Sequence, residues 1–540
     1  MTGVQKICIV GIISGILLAW VPLSAQVQTT GVPESFKLTE KSAIIIPSAT
    51  LDSVYPQKMI SEDKLLGIQN RYGVVEPTVI DIKKESVATK IENKGTIWRY
   101  QFDSPDAYSL GINFQSFHIP EKASLFIYNP EKGKVAGAFT SINNKESKLF
   151  TLADFIGGSV ILEYFEPDSA EYSGEVIIGS VTLAYRAQTT AATSRIGVNC
   201  PTGDDWQVEK NSVCRMTFND GRYAYLCSGA LINNVREDGT PYFLTANHCL
   251  STSSEASTLV TYFNYENSTC SSNDASLNHS LSGATLKATL AGSDFTLLLL
   301  DENPLSAYKP YFAGWDASGD NPESGVCIHH PEGTPKCISV DQDKIYDNTT
   351  LISWDNHTYS ALHSHWDVQF DVGNIEEGSS GGPLFDQNKR IVGQLHGGSD
   401  TDNFYGKLSV SWASSTTATK QLKAWLDPDG TGVKTLDGMG TNVSPKAKFT
   451  TQITKACTNN PVQLTDKSLY SPKKWLWRIT PSSYQFVNQT DSTTRNPVVE
   501  FLSENSYTIK LIASNDYGSD SALATNYIDA RNQLDVKFQS

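Results

Sequence analysis

The run Gly378-Ser379-Ser380-Gly381-Gly382-Pro383, inside Gly373-Asn-Ile-Glu-Glu-Gly-Ser-Ser-Gly-Gly-Pro-Leu-Phe385, constrains this chain more than any other stretch. Its glycines ask for a tight turn. A serine on such a turn holds its hydroxyl out from a strand end, with backbone N–H groups aimed at one point. Acyl transfer needs that arrangement: a nucleophile, and donors for the oxyanion formed on attack. A Gly/Ser-rich run alone is more often a plain loop, so the reading depends on two further stretches. Tyr242-Phe-Leu-Thr-Ala-Asn-His-Cys249 is an apolar strand ending in small residues, a histidine and a cysteine. Ser293-Asp-Phe-Thr-Leu-Leu-Leu-Leu300 sets an aspartate at the mouth of an apolar strand. A buried carboxylate is costly unless paired, and His248 can pair with Asp294. Each residue alone has a bland reading, His248 as a core histidine and Asp294 as a cap. The order His248, Asp294, Ser380 is one of the known chain orders of base, orienter and nucleophile.

These stretches resemble the trypsin-like serine peptidases, and in detail the bacterial lysyl endopeptidases. The resemblance runs from about Asn199 to about Asp437. It includes Cys227-Ser-Gly-Ala-Leu-Ile, Tyr262-Phe-Asn-Tyr-Glu-Asn-Ser-Thr-Cys270, Ala313-Gly-Trp-Asp316, Ile328-His-His-Pro331, Gly393-Gln-Leu-His-Gly-Gly398 and Trp425-Leu-Asp-Pro428. It implies two packed β-barrels with a C-terminal helix. The helix is expected over Ala418–Leu426, where Leu422, Trp425 and Leu426 share one face. It also implies an oxyanion hole from the N–H groups of Gly378 and Ser380, and disulfides Cys227–Cys249 and Cys200–Cys270. Trp354 and His396 match a stacked pair beside the substrate cleft. Cys214, Cys327 and Cys337 have no counterparts, and a Cys327–Cys337 bridge across a short loop is open.

Two departures from trypsin matter. Ser379 stands where zymogens of that type carry an aspartate for the new N-terminal ammonium, a departure shared with the lysyl endopeptidases. Asn374 stands where trypsin has its specificity aspartate. In the lysyl endopeptidases the acid comes from the loop after the strand matching Gly393–Gly398. Counting back from Tyr405-Gly406 puts Asn403 at that position, with Asp402 beside it. Asp402 is therefore the first candidate and Asp400 the second, against the bland reading of both as solvated loop acids. Cleavage after Lys is expected, with Arg as runner-up.

The chain has 540 residues, too long for one core. Its net charge of −15 argues against a nucleic-acid partner. Lys6, the apolar run Cys8–Trp20 and Leu23-Ser24-Ala25 read as a secretory signal over 1–25, with no membrane span. Export puts the eight remaining cysteines in an oxidising compartment. Residues 26–195 carry regular short strands from Thr96 onward and read as a β-sandwich pro-region, or an attached accessory domain. Ala187-Gln-Thr-Thr-Ala-Ala-Thr-Ser194 is a linker suited to cleavage, and the mature start is expected between about Thr189 and Gly197, with Arg195-Ile196 preferred. The peptidase takes 196–437. After the linker Gly438–Lys446, residues 446–530 resemble the immunoglobulin-like PKD domains through Trp475/Trp477, Asn496-Pro497 and Ala513-Ser-Asn-Asp-Tyr-Gly518. That module lacks the Phe-Gly-Asp-Gly signature; a spacer and a surface- or polysaccharide-binding unit are both open, and Cys457 reads as a buried thiol.

The fold class expected is all-β throughout, and the function a secreted, monomeric serine endopeptidase acting on proteins or peptides without a cofactor. The rivals are a serine endopeptidase of non-basic specificity and a non-enzymatic binding protein on the same scaffold. No metal is expected. His363-Ser-His365 sits at strand spacing with both rings on one face, and His329-His330 are adjacent, but neither has further ligands at metal spacing.

Overall fold

The computed structural model describes residues 31–38, 46–186, 195–354, 358–398, 402–440, 444–468, 472–515 and 517–532. The expected signal, the 187–194 linker and Asp400 lie outside the described residues. The fold is all-β, built from an N-terminal sandwich, a central two-part β region and a C-terminal sandwich.

In the N-terminal sandwich one sheet runs Ser48–Thr50, Gly95–Asp103, Ser159–Pro167, Ser124–Tyr128, Val135–Phe139, with Thr89–Ile91 on the edge of Gly95–Asp103. The facing strands are Arg71–Asp81, Glu175–Ala184, Ser109–His118 and Phe150–Ile156. Phe102, Leu110, Phe117, Leu125, Leu162 and Ile178 fill the space between the two layers. Each fully buried side chain of that kind contributes about 1.5–3 kcal/mol.

The facing layer does not stop at the sandwich. The outer edge of Arg71–Asp81 pairs antiparallel with Tyr223–Leu231 of the central region, through Tyr223↔Val74, Ala224↔Gly73 and Tyr225↔Arg71. One sheet of eleven strands therefore spans both units. The strand Arg71–Asp81 follows the α-helix Pro56–Leu66, in a stretch where the sequence shows no strand rhythm. Its first residues, Arg71, Tyr72 and Gly73, are successive and all buried, so the strand shows no one-in, one-out alternation there.

The first part of the central region carries Val213–Asn219, Tyr223–Leu231, Tyr242–Ala246, Val260–Tyr262, Ser280–Ser282, Ala284–Leu290 and Phe295–Leu300. The second carries Gly325–His329, Cys337–Asp341, Pro383–Phe385, Arg390–Gly398, Asn403–Lys407, His365–Val368 and Tyr346–Asp347 in one sheet. A shared core joins the parts, with Leu244 and Phe295 from the first packed with Ile328, Phe385 and Ile391 from the second.

The expected helix Ala418–Leu426 is not continuous. It divides into a 3-10 turn Ala418–Lys420 and a single α turn Lys423–Leu426, with Gln421 in extended backbone between them. Leu422 and Leu426 are fully buried, so the apolar spacing was a packing signal without a full helix. A short helix Leu408–Ala413 went unread. Met439–Gly440 pairs with Tyr311–Phe312, so the central region reaches past the expected boundary at 437.

The C-terminal sandwich has four strands in each sheet, around Val462, Leu464, Trp477, Val499, Ile509 and Leu511. Cys457 is a free thiol there, and it is half-buried, not enclosed as expected. Among the described residues no helix is long and apolar enough to cross a membrane.

Candidate active site

His248 follows the strand Tyr242–Ala246, and Asp294 immediately precedes its antiparallel neighbour Phe295–Leu300. The pairing Ala246↔Phe295 therefore brings the two together from 46 residues apart. Asp294 is buried and takes a left-handed backbone with φ 53°. Its Oδ1 accepts the His248 backbone N–H at 2.9 Å, and its Oδ2 faces His248 Nδ1 at 2.8 Å. The carboxylate is thus held on two sides, as a buried charge requires. Burial opposes the charged form of His248, but the Asp294 charge and hydrogen bond outweigh it, so the imidazole pKa is raised above 6.5. Burial likewise opposes the charged form of Asp294, and the His248 contacts outweigh it, so the carboxyl pKa is lowered.

Ser380 comes from the other part, across the seam. Gly378 and Gly381 have φ of 88° and 78°, which an L side chain rarely adopts. A Cβ on Gly381 would also lie 2.2 Å from Thr245 Oγ1 and 2.4 Å from the Ser228 carbonyl. The turn is tied across the seam: Ser228 N donates to the Ser380 carbonyl at 2.8 Å, and Ser228 Oγ donates to the Gly378 carbonyl at 2.9 Å. No hydrogen bond joins His248 to Ser380; such contacts are often long before substrate binds.

The hydroxyl of Ser380 has a different partner. Asn70, at the entry to the strand Arg71–Asp81, donates from Nδ2 to Ser380 Oγ at 3.3 Å. Its Oδ1 accepts the Gly378 N–H at 2.5 Å. Nothing in the sequence around Asn70 announced this.

The position of Ser379 has its own explanation. Ser379 is buried, its Oγ lies 2.7 Å from His329 Nδ1, and it accepts the Glu376 N–H at 3.1 Å. His329 Nε2 lies 3.2 Å from Ser339 Oγ, which donates to the Asn374 carbonyl. Burial, reinforced by Arg195, pushes the His329 pKa down to about 3, so the ring is a neutral brace at ordinary pH. This brace holds the turn where trypsin would use an ammonium–carboxylate pair. His329→Phe is expected to cost about 1–3 kcal/mol by leaving buried hydroxyls short of a partner. Urea unfolding checks it, and an unchanged midpoint would show that the hydroxyls re-pair without the ring.

Beside His248, the His396 ring stacks at 5.4 Å, and Trp354 stacks on His396 at 3.7 Å. A bulge in the pairing of Arg390–Gly398 with Asn403–Lys407 falls at His396 and sets its direction. His365 Nε2 lies 2.9 Å from His396 Nδ1. His363 and His365 do not share a face as expected. His363 sits in a turn with φ 62° and meets Asp347, while His365 is buried against His396. Ligand atoms of His248, Asp294 and His396 lie within 4.8 Å of one another, as do those of Asp341, Asp343 and Asp371. The first group is the His248–Asp294 pair and the stack just described, and in the second Asp341 and Asp371 accept backbone N–H bonds.

Asp402 is half-buried, and its Oδ1 accepts from Gln369 Nε2 at 3.1 Å. Burial and the neighbouring Asp402 charge raise the pKa of Asp367. Asn403 is buried, donates to the Val368 carbonyl, and leaves its Oδ1 without a partner. Asn374 is exposed. Disulfides join Cys227 to Cys249 and Cys200 to Cys270. Cys214, Cys327 and Cys337 are buried free thiols; the open Cys327–Cys337 bridge is absent, because Cys327 lies opposite Ser339 and Cys337 opposite His329.

Residues 189–408 match the family model described as the lysyl endopeptidase C-terminal domain. Lysyl endopeptidase of Pseudomonas aeruginosa is 31% identical over 199 residues, covering 35% of this chain and 40% of that protein. The chain thus spans about two fifths of that relative's length. Secreted RxLR effector protein 73 of Plasmopara viticola is 24% identical over 312 residues, covering 53% of this chain and 74% of that protein. Among solved structures, protease Anisep from Arthrobacter nicotinovorans aligns with a TM-score of 0.28 at 14% identity, covering 36% of this chain and 90% of that one.

Proposed function

We propose that this protein is a secreted serine endopeptidase that cleaves peptide bonds after Lys, with Arg second. Ser380 attacks the scissile carbonyl, His248 takes its proton and returns it to the leaving amine, and Asp294 fixes the imidazole tautomer and stabilises its charged form. The N–H groups of Gly378 and Ser380 receive the oxyanion. The observation that carries this reading is the buried Asp294 carboxylate holding His248 Nδ1 at the seam faced by the Ser380 turn. Residues 26–195 act as a pro-region released by cleavage near 189–197. Among these, the side chain of Arg195 is engaged by Glu376 and Glu332, so cutting at Arg195-Ile196 requires those pairs to open. The C-terminal sandwich is a PKD-like spacer or surface-binding unit. A fluorophosphonate reagent separates this reading from a non-enzymatic binding protein: covalent labelling at Ser380 supports it, and no labelling of the cleaved chain sinks it.

For specificity, the similarity to a lysyl endopeptidase supports a carboxylate in the loop before Asn403, and Asp402 is the first choice. An acid at the base of a pocket favours a cationic side chain and disfavours neutral ones. Asp402→Asn is expected to lower kcat/KM on a Lys substrate by at least ~10-fold, the effect of a charge pair contributing ~1.4 kcal/mol. A cleavage profile on a mixed peptide pool checks it. A parent that cuts as well after Leu or Phe, or a variant with an unchanged Lys preference, rules Asp402 out.

A further inference from the structure

We propose that Asn70 is a built-in ligand of the active site, whose side-chain carboxamide keeps the uncleaved chain latent by occupying the oxyanion donor and the nucleophile together. The proposal rests on the serine endopeptidase reading and concerns how that site is regulated. A carboxamide carries an acceptor oxygen and a donor nitrogen on the same carbon, and here both atoms are used. Oδ1 takes the Gly378 N–H, one of the two donors an oxyanion needs, and Nδ2 donates to Ser380 Oγ. The hydroxyl lone pair that would attack a carbonyl is thereby engaged, and what faces it is an amide nitrogen, not a carbonyl carbon. A substrate carbonyl cannot enter without displacing this group.

The surroundings fix Asn70 in place. Its backbone has φ 64°, a conformation that Asn adopts far more readily than most residues. Leu226 N donates to the Asn70 carbonyl at 2.8 Å, and pairing with Tyr223–Leu231 starts at the next residue. Behind it, Asp63 is a buried anchor: Arg71 Nε donates to its Oδ1 at 2.6 Å, while the Tyr185 hydroxyl and Arg186 Nη2 donate to its Oδ2 at 2.6 and 2.9 Å. Arg186 also reaches Glu377, next to Gly378, at 3.5 Å. Tyr185 and Arg186 follow the strand Glu175–Ala184, which pairs with the strand Arg71–Asp81 that Asn70 leads into, and they lead directly into the stretch expected to be cut. Cleavage there frees the chain end that supplies two donors to Asp63, so the event that makes the mature terminus also loosens the anchor of the ligand.

The test is fluorophosphonate labelling of the full chain read by intact mass, which scores uncleaved and cleaved molecules separately in one tube. The uncleaved parent is expected to label at least ~100-fold more slowly than the cleaved form, the scale of losing one oxyanion donor. Asn70→Gly suits the positive φ and removes only the carboxamide; uncleaved, it is expected to label at least ~10-fold faster than the uncleaved parent, as loss of a bond of ~1.4 kcal/mol implies. Asn70→Ala serves as a second variant, and thermal melting confirms that each is folded. Equal labelling of the uncleaved and cleaved parent overturns the proposal without touching the enzyme reading. So does a folded, uncleaved Asn70→Gly chain as slow as the uncleaved parent while the cleaved chain labels fast. If neither the cleaved chain nor Asn70→Gly labels, Ser380 is not a nucleophile and both readings fall.

Discussion

Ser380→Ala is expected to reduce peptide hydrolysis by at least ~10⁴-fold while the chain folds as before. The side chain it removes is a single hydroxyl, bonded among the described residues only to Asn70 Nδ2 at 3.3 Å. The backbone ties of the turn survive, including Ser228 N to the Ser380 carbonyl and Gly381 N to the Leu395 carbonyl, both at 2.8 Å. Stability should therefore change by no more than about 1 kcal/mol, the ordinary worth of one hydrogen bond. Folding and catalysis separate cleanly at this position, unlike at Gly381, where any side chain would meet Thr245 and Ser228. The variant also tests processing. If the cut near 189–197 is made by the protein itself, Ser380→Ala should accumulate as a chain that retains its N-terminal sandwich, visible by intact mass. Turnover within tenfold of the parent would remove Ser380 from the mechanism.

Local chemistry made much of the site legible in the sequence. The glycines around Ser380 were readable because positive φ and close approach exclude other residues there, and the structure has both. Asp294 was readable because a carboxylate beside four leucines cannot be left unpaired. The strand Val498–Phe501 was readable because its residues alternate against a core, and Ser124–Tyr128 because its apolar run is buried on both faces. The contacts that needed the fold left no such mark. Asn70 has an ordinary local sequence, and its meaning comes from the strand pairing that begins beside it, Arg71 with Tyr225. His329 looked like half of an adjacent histidine pair, and only the packing of Ser379 and Ser339 on either side of it reveals a brace. The stretch Ala418–Leu426 misled for the opposite reason: Leu422 and Leu426 are buried at helical spacing, but extended backbone at Gln421 interrupts the helix.

Asp294→Asn should lower kcat by about 10⁴-fold with little loss of stability. Asn fits the same space and tolerates the left-handed backbone, φ 53°, at this position. It can still accept the His248 backbone N–H, as Oδ1 does at 2.9 Å. At the other oxygen, which faces His248 Nδ1 at 2.8 Å, the variant presents an amide donor. Nδ1 must then become the acceptor and the ring proton moves to Nε2, the atom that should take the proton from Ser380. The base is lost through its tautomer, not through displacement. The pH profile gives a second reading of the same contact. In the parent the Asp294 charge outweighs burial and raises the His248 pKa, and only the neutral ring can act as base. Activity should therefore fall as pH drops through a value above the ordinary 6.5. In Asp294→Asn burial acts on the ring without the compensating charge, so the residual activity should persist to lower pH. A folded variant that keeps more than a tenth of the parent kcat, or an acid limb that stays where the parent has it, would mean that Asp294 does not orient the base.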